Sequence, residues 1–413
     1  MIDYSDTPEQ AAFRADVRAF IEASFPTGYA PDPRAENSLE PEDVLGYNWA
    51  ADVDSPDPAR RDGARAWAVA LAERGWIAPH WPTEYGGAGL GPMEAFILHE
   101  EMMRARVPTV NGIGAFLIGP TILAHGTGAQ KARFLPGIAR GEARWAQGFS
   151  EPNAGSDLAS LGARAVRDGD GYVVDGQKTW MSLGDHADWL FVLVRTDPDA
   201  PRKHHGITFL LIDAHSPGLV IRPIEDLRGD APFAEVFFDG VRVPVDCRLG
   251  DENKGWYVAM SALTFERSGI GAVIKYELAM RDLIDYMRSD AGAARVRGDW
   301  HSAVRDELMQ RYVEIRVLYA VALEATARHA AGAEPGYEAS VNQLFGAELH
   351  QRLARTGAKV FGPLSRLWRG DSAPMDGAFT HLCLDSVAAT FLAGTSEIQR
   401  NVIATRGLGL PRT

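Results

Sequence analysis

The sequence predicts a multidomain α and β chain: an N-terminal helical domain, a central antiparallel β barrel or sandwich, and a C-terminal four-helix bundle. Three observations carry this. Apolar residues recur at helical spacing up to about residue 140. Short β-type runs separated by Gly and Asp turn signals follow near Arg144. Long Ala- and Leu-rich helical stretches return after Gly250. The expected divisions are 1–143, 144–253 and 254–413. The length of 413 residues accommodates two or three domains.

Each element has its own signal. Ala12, Phe13, Val17, Phe20 and Ile21 share one face of an amphipathic helix over Thr7–Ala23, which Pro26 and Gly28 end. Pro31–Asp62 is rich in Pro and Asp and poorly periodic, which predicts a long surface excursion. Helices are expected at Ala64–Arg74, Pro92–Arg106, Gly112–His125 and Lys131–Arg140. Strands are expected at Trp145–Phe149, Gly162–Asp168, Gly171–Val174, Trp189–Arg195, Gly206–Ile212, Val220–Pro223 and Ala234–Phe238. Asp168-Gly169-Asp170-Gly171, Asp175-Gly176 and Asp239-Gly240 mark the turns between them. Trp256–Ser289, Ser302–Ala331, Glu338–Phe361 and Ser386–Arg406 supply the bundle.

Composition excludes several functions. A net charge of −13 opposes binding to nucleic acid or to an anionic membrane. The two cysteines, Cys247 and Cys383, build neither a disulfide framework nor a Cys-rich zinc site, and no metal site is expected. The first residues, MIDYSDTPEQ, show no leader pattern, and no apolar run approaches the ~18 residues of a membrane span, so a cytoplasmic protein is expected. G-x-G-x-x-G after a strand, a Walker lysine, G-x-S-x-G, H-E-x-x-H and C-x-x-C are all absent. His204-His205 lies in a charged turn and reads as a solvated loop.

Five stretches, in order, resemble the acyl-CoA dehydrogenase flavoprotein family. They are Trp81–Gly87, Gly148–Leu158, Gly176–Ser182 followed by Ala187-Asp188, Val236–Pro244, and Gly394–Asn401. The resemblance implies FAD held between the β domain and the bundle, and α,β-dehydrogenation of an acyl-CoA thioester. A base takes the α-proton, and the β-hydride passes to flavin N5. It also implies a homodimer or homotetramer and an electron-transfer flavoprotein as acceptor. In the β domain, Gly148, Phe149 and Ser150 match the segment at the flavin pyrimidine edge. Gly155 and Ser156 match the region of the pyrophosphate or CoA, Trp180 an aromatic residue against the isoalloxazine, and Ser182 a hydroxyl near N5. Thr395 and Glu397 match FAD-contacting positions, and Gly394 a position at the substrate.

A thioester α-proton is too weakly acidic for a free carboxylate, so donors must stabilise the developing enolate. The resemblance assigns one to the backbone N–H of Ala393. Many relatives carry the catalytic glutamate immediately before the Gly-Thr of the last motif. Here that residue is Ala393, which supplies no base. Others place it on the first bundle helix before an arginine, as in Thr264-Phe265-Glu266-Arg267. Glu266 is therefore the expected base, its pKa raised by burial, and Arg267 is expected to shape the acyl pocket.

Two family features are missing. The R-x-x-F-G arginine that clamps FAD across subunits is not reproduced, which leaves Arg288, Arg295 or Arg297 as substitutes. Lys359 replaces a glutamine common before F-G-G. The acidic N-terminal insertion and the Thr264–Arg267 segment also resemble a bacterial branch of steroid catabolism that forms α2β2 heterotetramers, so a base-bearing subunit of such a pair is an alternative to a self-sufficient dehydrogenase. Two other readings stay open: an oxygen-using oxidase or monooxygenase of the same fold, and a nonenzymatic subunit or DNA-associated relative.

Overall fold

The computed structural model describes residues 5–31, 46–265, 270–293, 301–333 and 336–411. The described residues up to 98 and from 106 to 265 form one compact unit, and residues 99–105 with those from 270 onward form a second.

In the larger unit the helices are α1 (Pro8–Ser24), α2 (Trp49–Asp52), α3 (Pro58–Glu73), α4 (Pro92–Ala105), α5 (Gly119–His125, preceded by a π-turn over Ile113–Ile118) and α6 (Gly128–Ala139). The second half of α4 belongs to the smaller unit. α1 starts where the sequence places it, because Thr7 and Gln10 form a reciprocal capping box and Pro8 occupies the first turn. Thr127 and Gln130 do the same for α6, and the Gln130 amide also donates to the carbonyls of Asp246 and Arg248.

The expected excursion over Pro31–Asp62 needs correction at its end. Tyr47, Asn48, Trp49 and Asp52 are buried, and α3 already begins at Pro58. Asp52 accepts from the Tyr29 hydroxyl at 2.7 Å and from Arg60 Nε at 2.5 Å. Arg60 also donates to the carbonyls of Ala30 and Gly46. A buried ion pair inside a Pro- and Asp-rich stretch has no apolar period to announce it.

The Trp81–Gly87 stretch is architectural. The Trp81 ring is fully buried and its Nε1–H donates to the Ala115 carbonyl at 2.9 Å. A Cβ on Gly119 would strike that ring, and one on Gly87 would strike the Trp81 backbone. Glycine at both places lets three segments approach closely.

The strands are β1 (Trp145–Gly148), β2 (Arg164–Asp168), β3 (Gly171–Ser182), β4 (Trp189–Arg195), β5 (Ile207–Asp213), β6 (Leu219–Ile224), β7 (Phe233–Pro244) and β8 (Arg248–Leu249). They join in the order β6-β7-β3-β2-β4-β5-β8, with β1 beside β4. The sheet is mixed rather than wholly antiparallel, because β1 and β2 each pair parallel with β4. β3 and β7 are longer than expected. Asp175-Gly176 and Asp239-Gly240 are not chain reversals; they accompany a bulge in the β3–β7 ladder, where Gly240 takes φ 62°.

α7 (Gly255–Phe265) ends the larger unit. The smaller unit contains α8 (Ile270–Arg288), α9 (Asp290–Ala293), α10 (His301–Ala330), α11 (Glu338–Phe361), α12 (Ala378–Ala388) and α13 (Ser396–Val402). α8, α10, α11 and α12 are its long packed helices. The single helix expected over Ser386–Arg406 is instead α12, a left-handed turn and α13. Ala393 (φ 50°) and Gly394 (φ 93°) make that break.

One bundle contact sets a pH response. His350 of α11 is buried, stacks near Tyr276 of α8 and lies 3.8 Å from Asp385. Burial pushes its pKa down to about 4, although Asp385 pulls the other way. The unfolded chain binds the proton near 6.5, so this stabilisation is present above that pH and fades as pH falls towards 4. Loss on the order of 2–3 kcal/mol is expected across the window. Denaturant midpoints at pH 7 and 4.5 should differ less in His350→Gln than in wild type; an unchanged difference would refute the assignment.

Candidate active site

The β-domain residues converge on the strand end that follows the bulge in β3. Lys178 pairs with Val236 and Met181 with Ala234, so β3 holds one residue more than β7 over this stretch. Trp180 takes up the extra length at φ 60°. The kink turns its indole outward, 58% exposed, with only its edge region meeting Phe233 at 6.0 Å between centroids. Ser182, partly exposed, closes the strand two residues on.

The turn after β1 lies against β3 at this point. The Thr179 N–H donates to the Ser150 carbonyl at 3.0 Å. Lys178 Nζ is fully buried and donates to the Phe149 carbonyl at 3.1 Å and to Glu151 Oε1 at 2.7 Å. Glu151 in turn accepts from the N–H groups of Gly162 (2.6 Å) and Ala163 (2.9 Å). Burial pushes the Lys178 ammonium down to about 8, against the pull of Glu151 towards the charged form.

The expected cofactor residues have distinct positions around this turn. The Phe149 ring points into the core against Phe191 and Phe209, so only its backbone serves the surface. Gly148 ends β1, where a side chain would collide with Val192 and Met181. Gly155 and Ser156 are exposed, and a Cβ on Gly155 would meet nothing within 4 Å. Asp188, from the same motif group, anchors the rear of the sheet through Arg144. Burial works against its charge, but bonds from the Arg144 guanidinium and N–H hold its carboxyl below the usual carboxylate range.

In the smaller unit, Thr395 caps α13 by accepting the Ile398 N–H at 3.2 Å. Gln399 Nε2 donates to the Ala393 carbonyl at 3.0 Å and also to the Gly394 carbonyl, which fixes the left-handed turn. Glu397 is exposed in the first turn of α13. Thr395 and Glu397 line an open groove with Arg352, Arg355, Arg400, Phe391 and Glu348, whose carboxylate pairs with Arg400 and Arg352. Sequence reasoning missed these arginines. Arg352 and Arg355 share one face of α11 at helical spacing, but nothing local distinguishes them from solvated helix charges.

Glu266 and Arg267 lie outside the described residues, as do Arg295 and Arg297. Arg288 is exposed in the last turn of α8. Lys359 is engaged with Glu307 at 2.6 Å. Among the described residues no group of three or more His, Cys, Asp or Glu side chains is placed to hold a metal, and no helix is long and apolar enough to cross a membrane.

In the larger unit, the exposed Trp180 indole and the open backbone at Gly155 suit a flat, phosphorylated dinucleotide such as FAD. Known proteins identify the family. Acyl-CoA dehydrogenase domains match in succession: the N-terminal domain over residues 7–142, the middle domain over 146–241 and the C-terminal domain over 253–408. This chain belongs to the acyl-CoA dehydrogenase family of oxidoreductases. It is 41% identical to acyl-CoA dehydrogenase IpdE1 of Mycobacterium tuberculosis (strain ATCC 25618 / H37Rv), over 84% of this chain and 88% of that protein. Among solved structures, a "Tcur3481-Tcur3483 steroid ACAD" is similar with TM-score 0.82 and 29% identity, each chain covered completely. The ChsE4-ChsE5 complex from Mycobacterium tuberculosis gives TM-score 0.81 and 31% identity, again over the whole of both chains.

Proposed function

We propose that this chain is the base-bearing subunit of an FAD-dependent acyl-CoA dehydrogenase with a steroid-type acyl thioester as substrate. It converts the thioester to its trans-2-enoyl form. The observation that carries the flavin reading is the bulge that presents Trp180 beside the Ser150 turn. The steroid class and a heterotetramer with a related subunit are supported by the likeness to the steroid enzyme and the ChsE4-ChsE5 complex.

FAD, when bound, supplies the acceptor for the β-hydride. The chain's own groups do the rest. Trp180 would offer the ring a stacking face, Ser182 a hydroxyl, and Gly148, Phe149 and Ser150 backbone groups. Gly155 and Ser156 leave room for phosphate. Glu266 takes the α-proton, and Arg267 and Gly394 shape the acyl site. The Ala393 N–H donates to the thioester carbonyl, whose charge grows as the proton leaves. A backbone donor does not depend on the side chain, so an alanine can serve there. An electron-transfer flavoprotein would be the acceptor of the electrons FAD takes up.

The test is the visible spectrum during anaerobic titration, on the chain alone and co-expressed with a related subunit. A yellow protein bleached by steroid-type acyl-CoA but weakly by short or branched thioesters is expected. Bleaching by short thioesters alone would refute the substrate class. Peroxide release with an absolute need for oxygen would replace the dehydrogenase by an oxidase.

A further inference from the structure

We propose that Lys178, through its buried pair with Glu151, is a positioning residue that sets the flavin-facing turn in register with Trp180. The proposal rests on the reading that this part of the β domain holds FAD.

Residues 149–151 are held to β3 at three successive points. The Phe149 carbonyl takes Lys178 Nζ, the Ser150 carbonyl takes the Thr179 N–H, and the Glu151 carboxylate takes Lys178 Nζ again. Glu151 also receives the N–H groups of Gly162 and Ala163, and its backbone bridges to Ala154. One carboxylate thus ties both ends of the 151–163 loop, which carries Gly155 and Ser156, to the strand beneath. Trp180 lies two residues from Lys178, across the bulge.

Stability alone does not account for this arrangement. Taking an ammonium out of water is costly, and an apolar pair of similar volume generally stabilises a fold as well or better. What an apolar pair does not do is grip a carbonyl, a carboxylate and, through it, two backbone N–H groups in fixed directions. The lysine side chain spans from the strand to the turn and, together with the Thr179–Ser150 backbone bond, sets the distance between the turn's backbone and the indole. Without the lysine, the turn rests on the Thr179–Ser150 backbone bond, and the 151–163 loop loses its tie through Glu151 to the strand. Flavin binding needs both surfaces in place together, so the cost of ordering them falls on the cofactor when the linkage is absent.

The experiment compares wild type, Lys178→Met and the double variant Lys178→Met/Glu151→Gln in FAD titrations of the apoprotein. It follows the dissociation constant, the vibrational structure of the bound-flavin absorbance and the apoprotein melting temperature. Lys178→Met leaves a buried carboxylate without its cation and should melt earlier. The double variant removes that charge and should regain most of the melting temperature. In both, FAD should bind about 10–100-fold more weakly, with bands blurred towards those of free FAD. If the double variant regains wild-type FAD affinity and spectrum along with its melting temperature, the pair is structural and the proposal falls. It falls equally if Lys178→Met melts early yet binds FAD as wild type does. A wild-type protein that takes up no FAD overturns the flavin reading itself, which is a separate result.

Discussion

Glu266→Gln is expected to keep its flavin and lose turnover by about 10²–10⁴-fold, the range a general base contributes. The amide preserves size and most packing but accepts no proton near neutral pH. Ala393 occupies the place where many relatives carry the glutamate, and a methyl group offers no alternative. The measurement is the rate of flavin bleaching in an anaerobic single turnover, with the visible spectrum as a check on cofactor content. Steady-state turnover alone mixes this step with product release. Flavin reduction at close to the wild-type rate would remove Glu266 as the base and move the search to another residue. Loss of the flavin itself would assign the side chain to binding.

The second large effect is on folding. Arg60→Met strips the cation from a site where Asp52 is buried and also holds the Tyr29 hydroxyl and the Asn48 N–H. Removing one partner of a buried pair strands the other, at a cost of about 3–5 kcal/mol. The guanidinium also closes the carbonyls of Ala30 and Gly46, which lose their donor as well. Tyr29 reports on the same site: burial, with the negative charge of Asp52, raises its hydroxyl far above the ordinary phenol range. Denaturant melts of Arg60→Met and of Arg60→Met/Asp52→Leu separate charge from packing. The single variant should be the less stable of the two. A single variant within 1 kcal/mol of wild type would show that the pair is not retained by its charge.

The helices and the order of the three regions were legible because they rest on local patterns. Capping boxes at Thr7 and Thr127, apolar faces at helical spacing and alternation in the strands all lie within a few residues of chain. The long strands were not. Asp175-Gly176 and Asp239-Gly240 carry the chemistry of a turn, and only the pairing of β3 with β7 turns it into a bulge. The helix expected over Ser386–Arg406 failed for the converse reason. Helical residues on both sides mask the break signal of Gly394 and Thr395, and the left-handed turn leaves no mark at Ala393. The buried Asp52–Arg60 pair escaped notice because charge in a Pro-rich stretch reads as solvated until its partners are known.

For the site, the sequence by itself determined which residue types stand at each motif position. It marked the missing carboxylate at Ala393, the available one at Glu266 and the absence of the R-x-x-F-G arginine, since these are facts of identity and spacing. The tertiary structure alone decided what several of those residues do. It turned Trp180 to the surface and Phe149 into the core, though both are aromatic residues in matching motifs. It also joined Lys178 to Glu151 across 27 positions of chain, and set Arg352 and Arg355 opposite Thr395. The physical reason is that side-chain direction follows strand register and bulges, and that the worth of a charge depends on whether burial has removed its water. Neither is settled within the short span over which a sequence pattern acts.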